Sequence, residues 1–391
     1  MDTSSLVDLS PLLHLLVLGA VIALGPLAWL WLRHRGADAE KRLFALTALT
    51  LFLTFDLVLF GAFTRLTDSG LGCPDWPGCY GSVSPAGASQ QIDAAQAAQP
   101  TGPVTHGKAW IEMIHRYLAS GVGVLILVLA AASWLASRRR QLTVSPWWAS
   151  VTLVWVCMQG AFGALTVTMK LYPAIVTLHL LGGLGLLVLL AVQSQGYRPQ
   201  PWRLSVPLRR GLGVLLMLVV GQVALGGWVS TNYAVLACRD FPACQGQWWP
   251  QMDFEQGFAL LRPLGMGRDG AYLPFEALTA IHMAHRLGAL VVFAALTVLV
   301  WRLWVEGSPA SRGWARVLAG LAVWQFASGL SNVVLDWPLV AALAHTGGGA
   351  ALVTALSFAW VRARQGRSDW PLARANHAAP TGDRAVAGVG S

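Results

Sequence analysis

Nine apolar stretches, each about 20 residues or longer, restrict this chain to a fold that spans a membrane. The stretches are apolar on all faces, which is typical of spanning helices and not of barrel strands. Of the 391 residues, 12% are charged and 55% are hydrophobic, about half the charged fraction of a soluble domain. The predicted spans cover residues 10–32, 43–64, 108–136, 146–168, 173–194, 208–231, 278–304, 313–335 and 338–361. The sequence therefore predicts an all-α integral membrane protein.

The net charge of +9 indicates membrane topology and not a nucleic-acid partner. Basic residues concentrate in alternate connections between the spans and after the last span, and the positive-inside rule makes these segments cytoplasmic. We therefore place the N-terminus and the loops 65–107 and 232–277 outside and the C-terminus inside a bacterial-type inner membrane. The outer segment from Ser82 to Gly107, rich in Ala, Gln, Gly and Pro, is predicted to be flexible.

The chain contains two tandem copies of one four-span unit. The repeated residues are Cys73 and Cys79 with Cys238 and Cys244 (offset 165), Glu112, His115 and Arg116 with His282, His285 and Arg286 (offset 170), and Gln159, Gly163 and His179 with Gln325, Gly329 and His345 (offset 166). Matches at nearly constant offset indicate a duplication. We assign residues 1–36 to an extra transmembrane helix, 37–200 to the first unit, 201–365 to the second unit and 366–391 to a cytoplasmic tail.

Four histidines lie at one predicted depth, two in each unit. His115, His179, His285 and His345 each lie about seven residues into a span that enters from the outer side, which is roughly 10 Å along a helix. A single histidine of this kind is usually a buried hydrogen-bonding residue. Two imidazoles per unit, with no carboxylate cluster or thiolate at the same depth, favour axial haem ligation over a zinc or di-iron site.

Residues beside the four histidines indicate how a haem would be accommodated. Small residues on the same helices leave room for a flat macrocycle, or alternatively permit close helix packing. These small residues are Gly121, Gly123, Gly182, Gly183, Gly288, Ala289 and Gly347–Gly349. Arg116 and Arg286 directly follow a histidine, and their guanidinium groups are candidates to bind haem propionates. Snorkelling or packing at the helix end is an equal alternative for both arginines.

Glu112 makes the two units different. It lies three residues before His115 on the same helix face, whereas His282 occupies the equivalent position of the second unit. A carboxylate inside a membrane is costly unless it is paired or functional. We infer that the first unit performs chemistry and the second holds a permanent redox cofactor. The alternative makes Glu112 an interfacial partner of Lys108, and His282 is open between a second-shell, an interfacial and a proton-handling role.

Each outer loop carries two cysteines separated by five residues, Cys73 with Cys79 and Cys238 with Cys244. The Asp and Pro residues between them suit a tight turn, and the outer side of a membrane favours oxidised thiols. A local disulfide in each loop is the structural interpretation. A thiol–disulfide relay or a metal site is the functional alternative.

The run from Thr64 to Pro77, followed by Glu112, His115 and Arg116, resembles the haem A synthase family. The remaining residues of the family pattern are His179, His285, Arg286 and His345. The resemblance covers roughly residues 43–361. It implies a membrane oxidoreductase that oxidises a methyl group of haem O to a formyl group and so supplies haem A to terminal oxidases.

The resemblance also implies roles for single residues. His115 and His179 are expected to bracket the substrate haem O, with Glu112 as the catalytic carboxylate. His285 and His345 are expected to ligate a haem b, and the four loop cysteines are expected to form disulfides. The expected partners are haem O, an unidentified electron-transfer partner and possible contacts with haem O synthase or oxidase assembly factors. The extra span at 10–32 and His282 depart from the family pattern.

Two other functions are compatible with the four histidines. A di-haem b-type electron-transfer cytochrome explains the ligands and leaves Glu112 without a role. A haem exporter or chaperone would hold the cofactor only in transit. Formylated haem distinguishes a haem A synthase from both alternatives.

Overall fold

Long helices dominate a computed structural model that describes residues 10–142 and 144–366. Within those ranges, nine helices are long and apolar enough to cross a membrane and no extended strand is formed, which confirms the predicted all-α fold. The long helices are α1 (Ser10–Arg33), α2 (Ala39–Leu66), α4 (His106–Arg138), α5 (Trp147–Thr168), α6 (Pro173–Tyr197), α7 (Val206–Thr231), α9 (Phe275–Glu306), α10 (Pro309–Val334) and α11 (Leu339–Gln365), and the short ones are α3 (Ser89–Ala98) and α8 (Phe254–Gly257). The predicted cytoplasmic tail lies outside the described residues except for Gly366.

The helix ends follow local sequence signals. Asp38 and Thr105 accept hydrogen bonds from backbone N–H groups three residues ahead and so cap α2 and α4. Ser308 caps α10 in the same way, and Pro173 occupies the first position of α6, where its missing N–H costs nothing. Each predicted span agrees with one helix to within four residues at either end.

The predicted flexibility of the segment from Ser82 to Gly107 is wrong. It contains a 3₁₀ turn at Pro85–Ala88 and the helix α3. Ile92 of α3 is fully buried in a cluster that includes Met113 of α4. Asp93 lies 2.7 Å from Nε2 of His106 at the start of α4. One apolar anchor and one polar contact therefore hold a segment whose composition resembles a linker.

The long helices pack as two groups of four, α2 with α4, α5 and α6, and α7 with α9, α10 and α11. Helices α5 and α10 occupy equivalent places and bury the least surface. Val154 of α5 and Val323 of α10 are 61% and 70% exposed, as expected for side chains that face lipid. We call the end of the molecule that carries both cysteine loops the cysteine face.

The two groups share one core. Leu184 and Leu187 of α6 pack with Leu212 of α7 and Leu356 of α11. Near the cysteine face, the hydroxyl groups of Thr177 and Thr231 lie 3.2 Å apart. The units therefore contact each other along α6, α7 and α11, and not only through the connecting loop.

Helix α1 packs mainly against α4, the helix that carries His115. Gly19 lets the two backbones approach, because a Cβ there would lie 2.8 Å from the Cβ of Ser120. Gly121 contacts Ile22 of α1 in the same zone, where an added Cβ would be 3.0 Å from the Ile22 side chain. The additional helix is thus an integral part of the first group's surface.

Candidate functional site

His285 of α9 and His345 of α11 face each other within the second group. Their ring centroids are 6.4 Å apart and their planes differ by 86°. Each ring contacts a glycine of the neighbouring helix. A Cβ on Gly226 of α7 would lie 3.0 Å from Cε1 of His285, and a Cβ on Gly329 of α10 would lie 3.0 Å from Cε1 of His345. Because glycine has no side chain, each imidazole packs directly against the helix backbone at these positions. A larger residue there would displace the ring.

Polar side chains lie behind both rings of this pair. The amide nitrogen of Gln222 is 2.9 Å from Nδ1 of His285 and 2.9 Å from the carbonyl oxygen of the same residue. The hydroxyl of Ser328 is 3.1 Å from Nδ1 of His345 and donates to the carbonyl of Trp324 at 2.7 Å. Because Nδ1 is engaged in each ring, Nε2 is the nitrogen available to a ligand.

The first group repeats the contacts between histidine rings and glycines, but the side chains around the rings differ. A Cβ on Gly61 of α2 would lie 3.1 Å from Cε1 of His115, and a Cβ on Gly163 of α5 would lie 3.6 Å from Cε1 of His179. The Phe60 ring stacks on His115 with centroids 6.2 Å apart. In the described part of the chain, Nδ1 of His115 and Nδ1 of His179 are buried without a hydrogen-bond partner. The two pairs thus have the same framework and unequal polar support.

Glu112 is held firmly in the protein interior, with 4% of its surface exposed. Its Oε2 accepts a hydrogen bond from the backbone N–H of Cys73 at 2.8 Å, and its Oε1 pairs with Arg116 at 2.5 Å. Lys108 instead donates to the carbonyl of Gly102, so the interpretation of Glu112 as an interfacial partner of Lys108 is wrong. A buried carboxylate with two fixed donors lies one helical turn from His115.

Both repeated arginines hold the cysteine loops. The guanidinium of Arg116 donates to the carbonyl oxygens of Asp75, Pro77 and Gly78 at 3.0, 3.2 and 2.6 Å. In the second unit, Arg286 donates to the carbonyl oxygens of Ala243, Cys238 and Asp240 at 2.8, 3.0 and 2.9 Å. Its Nε also lies 3.3 Å from Nε2 of His282. These contacts match the helix-end packing alternative, and propionate binding stays a prediction.

Both cysteine pairs form disulfides, Cys73 with Cys79 and Cys238 with Cys244, with Cα atoms 4.9 and 4.7 Å apart. The local disulfides predicted from the sequence are present, and with the thiols bonded to each other these sulfurs do not act as metal ligands. Asp240 closes its loop by accepting from the backbone N–H groups of Gln245 and Gly246. The hydrogen bond from Gly246 lowers the pKa of this carboxyl below its ordinary value.

Several glycines interpreted as room for a macrocycle are occupied by protein contacts. A Cβ on Gly182 would lie 1.9 Å from Nε2 of Gln159, and one on Gly348 would lie 2.6 Å from the Trp324 ring. Gly121 contacts α1 as described above. For these three positions the macrocycle interpretation is wrong and close helix packing is the observed role.

The glycines that contact the histidines lie on the adjacent helices, where the spacing of the histidines alone does not predict them. A repeated Gln-x-x-x-Gly pattern marks three of the four positions, and the structure shows what it does. The three occurrences are Gln159 with Gly163, Gln222 with Gly226 and Gln325 with Gly329, while Leu57 precedes Gly61 at the fourth position. This Gln-x-x-x-Gly pattern is the sequence signal from which the contact between a glycine and a histidine ring could have been predicted.

Fold and site together define a polytopic helical membrane protein with one histidine pair in each of two repeated units. A family model described as "Cytochrome oxidase assembly protein" matches residues 44–357, and the chain belongs to that family. The matched region begins after α1, and the role of that helix as an addition to the shared fold stays a prediction.

Relatives that carry the name "Heme A synthase" match over most of their length. The protein of Shewanella oneidensis is 38% identical over 315 residues, which are 80% of this chain and 93% of the relative. Those of Halalkalibacterium halodurans and Alkalihalophilus pseudofirmus are 28% and 27% identical, and the matches cover 86% and 96% of their lengths. The resemblance to the haem A synthase family is therefore confirmed.

Proposed function

We propose that this protein is a haem A synthase that oxidises a methyl group of haem O to a formyl group in the first four-helix unit. In that reaction C–H bonds of the methyl group are replaced by a C=O bond, so electrons and protons leave and one oxygen atom enters. The observation that carries the proposal is the buried Glu112 beside His115, with His282 at the same place in the second unit.

The first unit is the proposed substrate site. His115 and His179 bracket haem O, and the carboxylate of Glu112 acts next to the reacting methyl group. It accepts a proton or stabilises positive charge that develops on the carbon. The Cys73 N–H and the Arg116 guanidinium fix the carboxylate before the substrate arrives, so that no reorganisation is needed during the reaction.

The second unit is the proposed cofactor site, and its residues fit a haem b. The ring centroids of His285 and His345 are 6.4 Å apart, and these two imidazoles would hold the haem iron. When bound, the haem supplies one-electron redox chemistry. A haem b held by His285 and His345 would link the first unit to a separate electron-transfer partner.

We also propose the arrangement of the protein in the membrane. Residues 37–200 form the substrate unit, residues 201–365 form the haem b unit, and residues 1–36 add one transmembrane helix. The cysteine face lies outside a bacterial-type inner membrane and the C-terminus lies in the cytoplasm, because the basic connections lie at the opposite ends of the helices. Haem O synthase and oxidase assembly factors are proposed partners.

The test is to replace Glu112 by Gln and to extract the pigments from cells that make haem O. Gln retains an acceptor for the Cys73 N–H and removes the negative charge. We expect haem A formation to fall about 100-fold or more, with the haem b spectrum unchanged. The control is Glu276→Gln, which neutralises an exposed carboxylate in the first turn of α9. Wild-type haem A output from the Glu112→Gln variant, or a wild-type protein that yields neither haem A nor a hydroxylated intermediate, contradicts the proposal.

A further inference from the structure

The histidine pairs of the two units differ in what lies behind the rings. Nδ1 of His345 has Ser328 as a partner, whereas Nδ1 of His115 and Nδ1 of His179 are buried without one in the described ranges. We propose that Ser328 is a positioning residue that fixes His345 for permanent haem binding, and that the absence of its counterpart makes the first pair a releasing site. The inference rests on the proposed function, which assigns the retained haem to the second unit.

The Ser328 hydroxyl determines which ring nitrogen of His345 carries the proton. A serine has one O–H, and Ser328 directs it to the carbonyl of Trp324 at 2.7 Å. Its oxygen then accepts from Nδ1–H of His345 at 3.1 Å. This arrangement leaves the lone pair on Nε2, the atom that binds iron. Such outer hydrogen bonds orient a metal-binding imidazole and increase its electron donation.

Ser328 lies among other residues of α10 that also contact His345. It precedes Gly329, the residue that admits the His345 ring, on the same helix α10. The neighbouring Gln325 donates to the carbonyl of His345 at 3.2 Å and so binds the backbone of the residue whose ring Ser328 holds. His345 is therefore held at three points: Nδ1 of its ring contacts Ser328, Cε1 of its ring lies against Gly329, and its backbone carbonyl accepts from Gln325.

The first unit keeps Gln159 in the place of Gln325 but lacks the two polar side chains that lie behind the rings of the second unit. With the offset of 166 residues, Phe162 takes the place of Ser328. With the offset of 165 residues, Leu57 takes the place of Gln222. Neither side chain has a polar atom. In the described ranges Nδ1 of His115 and Nδ1 of His179 have no hydrogen-bond partner, so an iron bound at Nε2 would leave an unpaired buried N–H on each ring.

Gln222 supports His285 in a different way. Its amide nitrogen donates to the carbonyl oxygen of His285 at 2.9 Å and also lies 2.9 Å from Nδ1 of the ring. Both histidines of the second unit thus have a polar side chain behind the ring, and only Ser328 has an oxygen placed to accept from Nδ1–H. Histidines without polar side chains behind their rings suit a substrate haem that must enter and leave. Histidines held by such side chains suit a haem that stays bound.

The direct test is Ser328→Ala in the full-length protein, with Ser331→Ala as the matched control. Ser331 lies on the same helix, and its hydroxyl contacts only the backbone carbonyl of Ala327 at 2.8 Å among the interactions described for it. We expect Ser328→Ala to transfer haem b to excess apomyoglobin about 10- to 100-fold faster than Ser331→Ala. The haem b midpoint potential should rise, and Ser328→Thr, which keeps the hydroxyl, should restore both values.

The reciprocal variant is Phe162→Ser, which places a hydroxyl behind His179. We expect it to retain more haem O or haem A during purification than the wild-type protein. Equal transfer rates and potentials for Ser328→Ala and Ser331→Ala overturn the inference, as does faster loss of haem from Phe162→Ser. If His345→Ala leaves the haem b content unchanged, the proposed function fails first. If that variant loses haem b and Ser328→Ala does not, only this inference fails.

Discussion

In both four-helix units a histidine on the second helix contacts a glycine on the first, and a histidine on the fourth contacts a glycine on the third. In both, an arginine after the first histidine holds a disulfide loop. Among the equivalent positions that differ are three near the histidines, where the first unit has Glu112, Leu57 and Phe162 and the second has His282, Gln222 and Ser328. The shared residues suit the binding of an iron porphyrin. In the proposed function the different residues divide the work, with a carboxylate for chemistry in the first unit and polar support for a permanent cofactor in the second.

The largest expected effect comes from the second pair. His285→Ala and His345→Ala each remove one proposed haem ligand and should abolish the bound haem b, because a single imidazole would hold the iron weakly. The reduced-minus-oxidised spectrum of the purified protein measures this loss directly. A normal haem b spectrum from either variant would contradict the division between the units.

Haem A formation should also stop in these two variants, since the proposed electron route passes through the second unit. His14→Ala serves as the control, because that histidine lies on α1, outside both units. Haem A output at the wild-type level without haem b would show that the second unit is not needed for the oxidation.

A smaller effect is expected at the glycines that face the rings. Gly226→Ala and Gly329→Ala place a Cβ 3.0 Å from a ligand ring and should lower haem b content several-fold by displacing it. Gly163→Ala places its Cβ 3.6 Å from His179, an ordinary contact, and should be tolerated. Alanine favours a helix by about 1 kcal/mol over glycine, so a loss of haem would not come from a weaker helix. Haem b content per protein measures the effect at Gly226 and Gly329, and haem A formation measures the effect at Gly163. A proportional loss from Gly163→Ala as large as the losses from the other two variants would show that the Cβ distance does not determine the effect.

Much of the fold could be predicted because a bilayer leaves few choices. Backbone groups in hydrocarbon must be paired within a helix, so the nine apolar runs match the nine spanning helices found among residues 10–142 and 144–366, and the loops fall between them. The duplication then places His115, His179, His285 and His345 in equivalent positions. The pairing of His285 with His345 follows from that symmetry and from the parallel direction of their helices.

The contacts between side chains and backbone could not be predicted in the same way. Arg116 binds the carbonyls of Asp75, Pro77 and Gly78, and a carbonyl is present in every residue and so leaves no mark in a sequence. The helix α3 was missed because Ile92 is the only strongly apolar residue in a stretch of Ala and Gln. The glycine contacts were missed because they join residues far apart in the chain.

The most direct test of the central claim is the pigment content of His115→Ala and His179→Ala, extracted and quantified beside the wild-type protein. The account predicts that both variants keep the wild-type amount of haem b and produce no haem A. Continued formation of haem A, or loss of haem b with the second pair intact, would show that the oxidation and the retained haem are not divided between the two units.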